Sequence, residues 1–293
     1  MLVTCLIGDP VAQSVSPYLY DMYAALFGLE YSHVKLKVDK NDPQNIVKAI
    51  DALRVFNMLG ANVTLPYKRM VMSLVDELDQ SAELIGAVNT IINRNGVLRG
   101  YNTDGFGAIK TIETNLKEVK ESDNVVVIGA GGAARAVLYE VMKRTKNVTV
   151  LNRSQERLQD LIDDLKQKGK ELTSGSLNQE SLMEHLTSAN FVINTTSVGM
   201  TPEVANSPVS EEIFAKVNEV SPIKDKFFFD VIFNPSETMF IKVAKKYGAK
   251  TVGGMRMMIY QGFKSFEIWT GKEIPESMVE EAYKVLISKL NEN

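Results

Sequence analysis

Residues 124–134 read NVVVIGAGGAA. NVVVIG (124–129) is an unbroken apolar run of the kind that forms a strand buried on both faces of a parallel sheet. A glycine turn follows, and then the helical run AARAVLYEVMKR (133–144). Gly129, Gly131 and Ala134 occupy the three small positions of G-x-G-x-x-(G/A). The first allows a tight turn, the second lets backbone approach a pyrophosphate, and the third lets helix and strand pack closely. Phosphate would sit on the N–H groups at the helix start, so Gly129, Gly131, Gly132 and Ala133 are the candidate loop of a dinucleotide site.

Further along, VTVL (148–151) reads as the next strand. An NAD site usually has an acidic residue after that strand, on the ribose 2′-hydroxyl. This chain has Asn152-Arg153-Ser154, with Arg157 a turn later. A cationic, hydroxyl-bearing cluster suits a 2′-phosphate, which favours NADP over NAD. Ser154 is a plausible cap for a helix whose Leu158, Leu161, Ile162 and Leu165 share a face. ANFVIN (189–194) and FFFDVI (227–232) are further strands, and 200–226 reads as a loop and helix within the same domain.

On the N-terminal side, strand and helix patterns also alternate, so the chain is an α/β protein with mostly parallel sheets. Leu2–Ile7 reads as a buried strand, residues 17–27 as a helix and SHVKLKV (32–38) as a half-buried strand by its alternation. Residues 43–53 look helical with Pro43 in the first turn, and MLGANVT (58–64) as a strand, with Pro66 opening another helix. The block around the glycine turn is an insertion: the chain leaves the first domain near 104 and returns near 253, before closing helices with an apolar face through Met257, Met258, Phe263, Phe266 and Trp269.

Composition excludes several classes. The 293 residues are 45% hydrophobic and 24% charged, with net charge −3, so no basic surplus favours nucleic acid. The single cysteine, Cys5, permits no intramolecular disulfide and reads as inert core. The two histidines, His33 and His185, make a histidine metal site or a Ser-His-Asp triad improbable and read as solvated. No metal is expected. The N-terminus makes a poor signal peptide and no run is long enough for a membrane helix, so the cytoplasm is the expected compartment.

Other segments carry candidate chemistry. In NVTLPYK (62–68), a strand ends in polar residues and Lys68 lies where a helix is expected to start. A lysine there would feel the positive end of a helix dipole and pass a proton to a developing alkoxide more readily. GYNTDG (100–105) places Asp104 at a turn, either as a functional carboxylate or as a helix cap. Asn89 in GAVNT (86–90) could fix a polyol hydroxyl. Ser14 and Ser16, in GDPVAQSVSP (8–17), put two hydroxyls before a helix start, an arrangement suited to a carboxylate.

In chain order, GDPVAQSVSP, NVTLPYK, GAVNT, GYNTD, VIGAGGAARA, NRS, INTTSVGM, DVIFNP and GGMRMMIYQGFKSFEIWTG resemble the shikimate dehydrogenase family over nearly the whole chain. The resemblance implies an N-terminal substrate and catalytic domain (1–104 plus 253–293) and an inserted Rossmann-type, doubly wound NADP domain (105–252). It implies reversible reduction of 3-dehydroshikimate to shikimate, in chorismate and aromatic amino acid biosynthesis, in a cleft between domains. Lys68 and Asp104 would be the catalytic pair. Ser14, Ser16, Thr64, Asn89 and Gln261 would bind substrate beside them. Gly129, Gly131, Gly132 and Ala133 would hold pyrophosphate; Asn152, Arg153, Ser154 and Arg157 the 2′-phosphate; and Thr195, Val231 and Gly254 would line the nicotinamide side.

The chain departs from the family pattern at Gln13 and near Tyr20, where histidine is usual, and at Phe233, where tyrosine is common. Losing that hydroxyl removes one hydrogen bond near the substrate, worth about 0.5–1.5 kcal/mol. The alternatives are a quinate/shikimate dehydrogenase using NAD or either cofactor, and a non-catalytic NADP-sensing regulator. The expected assembly is a monomer or homodimer.

Overall fold

Strand–helix alternation organises the chain from its first residues. The structure, a computed structural model, describes residues 1–292. It divides into two compact units: Met1–Asp104 together with the residues from Ile259 onward, and Gly105–Met258.

The first unit runs β1 (Leu2–Gly8), α1 (Ser16–Leu26), β2 (Tyr31–Lys37), α2 (Pro43–Val55), β3 (Gly60–Val63), β4 (Glu77–Leu78), α3 (Gln80–Ile85), β5 (Thr90–Arg94) and β6 (Val97–Tyr101), and α4 (Asp104–Asn115) then carries the chain onward. Among the described residues its strands lie in the order β2-β1-β3-β5-β6-β4. β1 is parallel to β2 and β3, whereas β5 runs antiparallel to β3 and β6. The β5–β6 hairpin was not anticipated. Its turn residues Asn95 and Gly96 have φ of 54° and 89°, the conformation for which Asn-Gly is the favoured pair.

Two expectations for this unit fail. No α-helix follows Pro66: turns lead to a 3-10 helix at Met70–Ser73. Strand β2 also departs from its alternation. Its alternation suggested that Val34 and Leu36 point inward, yet they are 39% and 41% exposed, and His33, expected in solvent, is 5% exposed. The reason is chemical. His33 is held inward by hydroxyls on β1 and α1, whereas Lys35 and Lys37 stay exposed and reach over to the loop before α1.

The second unit continues with β7 (Val125–Ile128), α5 (Gly132–Val141), β8 (Val148–Asn152), α6 (Gln155–Gln167), β9 (Thr173–Ser176), α7 (Gln179–Ser188), β10 (Phe191–Asn194), α8 (Glu211–Val220), β11 (Phe227–Asp230), α9 (Met239–Lys246) and β12 (Lys250–Val252). Its strands are parallel, in the order β12-β11-β10-β7-β8-β9. This is the doubly wound order in which the chain reverses direction between β7 and β10, the point where such folds bind ligands. β7 is buried throughout: Val125 and Val127 join one core, Val126 and Ile128 the other.

α10 (Gly254–Thr270) and α11 (Met278–Asn291) close the chain. The passage back to the first unit falls within α10, at Met258–Ile259, rather than at 253. Trp269 anchors the far end of α10. Its indole Nε1–H donates to the Ile91 carbonyl at 2.8 Å, over Gly60, where a Cβ would lie 2.5 Å from that nitrogen. Around it, Tyr20, Tyr23 and Phe266 are fully buried.

Candidate active site

The carboxyl ends of β1 and β3 and the strand β5 beside them bring the polar segments of the first unit together. Backbone bonds set their positions. Thr64 N–H donates to Ile7, Val63 N–H to Asn89, and Val88 N–H to Lys68. Tyr67, buried at 2% exposure, ties the segment down through its hydroxyl on the Val38 carbonyl. Lys68 therefore projects from a pinned turn rather than from a helix start.

Its ammonium donates to Asp104 Oδ2 at 2.6 Å, with both side chains mostly shielded. Asp104 does not act as the cap of α4. Asn102 takes that task, its side-chain oxygen accepting the Asp104 N–H at 3.0 Å. The Asp104 carboxylate is thus released toward Lys68, at a helix N-terminus where negative charge is favoured. Its other oxygen accepts from Asn89 Nδ2 at 2.8 Å. Asn89 Oδ1 in turn accepts from Thr103 N–H and the Thr90 hydroxyl. Gln261 Oε1 accepts from Thr103 and Asn89. Of the expected residues, Lys68, Asp104, Asn89 and Gln261 form one network. Thr64 lies beside the pinned turn, its methyl filling the space over Gly8.

Several members of this network were missed. Thr103 and Thr90 flank Asp104 and Asn89. Ser265 is one helical turn beyond Gln261 and lies 2.8 Å from Thr90. Asn62 donates to Thr90 and accepts from the buried Tyr20 hydroxyl at 2.7 Å. The i, i+4 spacing of Gln261 and Ser265 was the available signal.

Ser14 and Ser16 also meet: Ser14 Oγ donates to Ser16 Oγ at 3.0 Å. Ser16 lies 3.3 Å from His33 Nε2, and His33 Nδ1 lies 2.8 Å from Thr4 Oγ1. Burial pushes the His33 imidazole down to about 3 from its ordinary 6.5, so it is neutral at physiological pH. His185 is half-buried on α7. Cys5 is fully buried, and burial pushes its thiol up to about 12, so it is unreactive. Among the described residues, no group of three His, Cys, Asp or Glu could hold a metal ion, and no helix is long and apolar enough to cross a membrane.

In the second unit, Gly129 has φ +113°, and a Cβ there would fall 2.6 Å from Thr195 Oγ1. Gly131 and Gly132 face open space. No side chain caps the start of α5, which leaves backbone N–H groups as donors for an anion. Ala134 is fully buried against the strand, the close packing expected of the third small position. At the end of β8, Asn152 donates to the Ser154 carbonyl, and Ser154 Oγ accepts the Arg157 N–H at the start of α6. Arg153 and Arg157 are exposed. A dinucleotide with a 2′-phosphate fits these groups: open glycines and uncapped N–H groups for pyrophosphate, and two exposed guanidiniums for the extra phosphate, with Glu156 in the first turn of α6 the nearest acid.

Thr195 spends its hydroxyl on the Ile128 carbonyl at 2.7 Å, closing the end of β7 against β10. Val231 follows β11 and contacts Gly254, whose Cβ position would lie 2.0 Å from the Val231 carbonyl oxygen. Behind them, Asp230 is fully buried. It accepts from Asn194, Thr238 and the Ile232 N–H, and burial pushes its carboxyl up to about 6 from 3.8. Phe233 is half-buried on the loop after β11.

Known proteins match this chain over nearly its whole length. Family models match in succession: "Shikimate dehydrogenase substrate binding domain" over residues 6–91, "Shikimate / quinate 5-dehydrogenase" over 111–236 and "Shikimate 5'-dehydrogenase C-terminal domain" over 254–282. A Methanococcus maripaludis protein named shikimate dehydrogenase (NADP(+)) is 39% identical over 285 residues, covering 97% of this chain and 96% of its own length. A crystal structure of a shikimate dehydrogenase in complex with NADP+ is similar at a TM-score of 0.87 and 36% identity, covering 98% of this chain and 96% of that one. A Thermus thermophilus structure with NADP(H) and shikimate gives a TM-score of 0.83 at 29% identity, covering 97% and 99%.

Proposed function

The chain belongs to the shikimate dehydrogenase family, and from that premise we propose that it catalyses the reversible, NADP-dependent reduction of 3-dehydroshikimate to shikimate, with Lys68 and Asp104 as its catalytic pair. The observation that carries the assignment of the pair is the 2.6 Å contact between the Lys68 ammonium and an Asp104 carboxylate already held by Asn89.

When bound, NADPH would supply a hydride to the ring carbonyl carbon. The residues of this chain handle the charge and the proton. Addition leaves negative charge on the carbonyl oxygen. Lys68, protonated, donates a hydrogen bond to that oxygen and then its proton, so the product carries a hydroxyl and the lysine becomes a neutral amine. Asp104 holds Lys68 in place and accepts a hydrogen bond from a neighbouring ring hydroxyl. Oxidation of shikimate runs the same proton transfer in reverse, with neutral Lys68 as the base. Proton transfer of this kind contributes roughly 10²–10⁴-fold. Asn89 and Gln261 present amide groups to ring hydroxyls, and Thr64 adds its own hydroxyl. Ser14 and Ser16 donate to the substrate carboxylate.

Cofactor binding rests on the second unit. The N–H groups at Gly131, Gly132 and Ala133 hold the pyrophosphate. Arg153 and Arg157, with Asn152 and Ser154, hold the 2′-phosphate. Thr195, Val231 and Gly254 line the nicotinamide side. Steady-state assay of shikimate and quinate against NADP and NAD tests the whole reading. Shikimate with NADP should give the highest kcat/KM, and no reduction of NADP in the presence of shikimate would overturn it.

A further inference from the structure

Alternate residues of the edge strand β2 grip the loop that carries Ser14 and Ser16. Lys37 pairs with Asp9 at 3.7 Å. Lys35 Nζ donates to the Ala12 carbonyl at 2.6 Å and lies 3.4 Å from the Ser14 carbonyl. His33 reaches Ser16. The three residues are spaced by two, so they share one face of the strand. Lys35 and Lys37 hold backbone and loop shape from an exposed position, whereas His33 acts on a hydroxyl, and does so from full burial.

Donor strength favours one direction for the hydrogen bonds around His33. The Tyr31 hydroxyl contacts Thr4 Oγ1. A phenol is a strong donor and a poor acceptor, so Tyr31 donates to Thr4. Thr4 then keeps its own proton, and with that proton given to His33 Nδ1, 2.8 Å away, the ring proton of the neutral imidazole sits on Nε2. Nε2–H donates to Ser16 Oγ, and Ser14 donates to the same oxygen. Both acceptor sites of Ser16 are then filled within the protein, and its single proton must point elsewhere.

We propose that His33 is a positioning residue that sets the Ser16 hydroxyl as an outward donor to the substrate carboxylate. This rests on the reading that Ser14 and Ser16 bind that carboxylate. Around the imidazole stand hydroxyls and aromatic rings: Thr4 on β1, Ser16 and Tyr20 on α1, Tyr20 at 4.5 Å between centroids, and Trp269 on α10 at 6.0 Å. The setting keeps the ring neutral, so the donor direction persists across physiological pH. Tyr20 also bonds Asn62. The carboxylate serines and the Lys68–Asp104–Asn89 network thus lean on the same side chain.

The test has two parts. His33→Leu should raise KM for shikimate about three- to tenfold, the worth of one oriented hydrogen bond, with a smaller change in kcat and none in KM for NADP. His33→Gln, which keeps an N–H donor toward Ser16, should return most of that loss. In a Ser16→Ala background, His33→Leu should add nothing further. If Ser16→Ala raises KM while His33→Leu leaves it unchanged, the positioning role is wrong and the serine assignment stands. If Ser16→Ala itself leaves KM unchanged, the carboxylate reading fails first. Independently of any variant, long-range ¹H–¹⁵N NMR of the wild-type enzyme, labelled at its two histidines, should show the Nε2–H tautomer at His33. The Nδ1–H tautomer would overturn the proposal.

Discussion

In the first unit, Lys68, Asp104, Asn89, Thr103 and Gln261 hold one another through side-chain hydrogen bonds, whereas the turn at 129–132 of the second unit offers backbone N–H groups at a helix start that no side chain caps. On the proposed function the two regions recognise different things. A substrate ring with several hydroxyls and a carbonyl needs donors and acceptors at distinct points, which only side chains supply. A pyrophosphate needs a concave row of N–H groups, which backbone supplies wherever a Cβ is missing. The first region should therefore be sensitive to chemical type and the second to shape.

The largest expected effect breaks the first region. Lys68→Ala should lower kcat by roughly 10²–10⁴-fold while NADPH still binds, as read by nucleotide fluorescence titration. Turnover close to wild type would remove the assigned proton donor.

Shape is tested at the glycines. Gly129→Ala places a Cβ 2.6 Å from Thr195 Oγ1 on a backbone of φ +113°, which should cost about 1–3 kcal/mol of stability in denaturant unfolding. Gly131→Ala meets nothing within 4 Å, so it should unfold like the parent and raise only KM for NADP. Equal destabilisation by both would show that the turn is not governed by sterics.

Acid should sharpen the contrast through one buried group in each unit. His33 titrates at about 3 when folded and near 6.5 when unfolded. Below 6.5 the unfolded chain takes up the proton first, so acidification lowers the stability of the first unit. Asp230 titrates at about 6 when folded against 3.8 when unfolded. Below 6 the folded form takes up the proton first, so its share of stability is present at low pH and lost as pH rises through 6. Over the full titration the shifts correspond to about 5 kcal/mol for His33 and about 3 kcal/mol for Asp230. Melting between pH 4 and 6.5 should show that His33→Gln flattens the acid-side fall in Tm and Asp230→Asn steepens it. The opposite pattern would reverse the assignments.

The smallest effect concerns specificity. Phe233→Tyr should restore one hydrogen bond, lowering KM for shikimate by about two- to tenfold and raising the shikimate-to-quinate ratio of kcat/KM. An unchanged ratio would show that this position does not choose between them.

How much of this was legible differs from element to element. β7 was plain because burial on both faces leaves an uninterrupted apolar run, and each of its residues does enter one core or the other. Ser154 was plain because capping is local. The hairpin at Asn95-Gly96 carries its signal openly, in the pair that favours positive φ at both turn positions. β2 misled because alternation gives two faces and never says which is inner. That choice came from the loop at 9–16, whose polar atoms are satisfied by His33 and Lys35. Lys68 misled for a similar reason: Pro66 permits a helix start but does not require one, and Val88 and Val38 pin the segment as a turn.

The amino-acid sequence alone determined what depends on neighbours along the chain: the strand–turn–helix at 124–134, the Ser154 cap after β8, and, through ordered motifs, the family. The tertiary structure decided what depends on partners far apart in the chain. Asp104 is freed from capping by Asn102 and meets a lysine 36 residues away, Gln261 and Ser265 arrive from the other end of the chain, and a histidine that reads as solvated becomes a buried neutral donor. Local pattern records the conformational preference of each segment. Which polar groups must satisfy one another out of water is settled only when the segments pack.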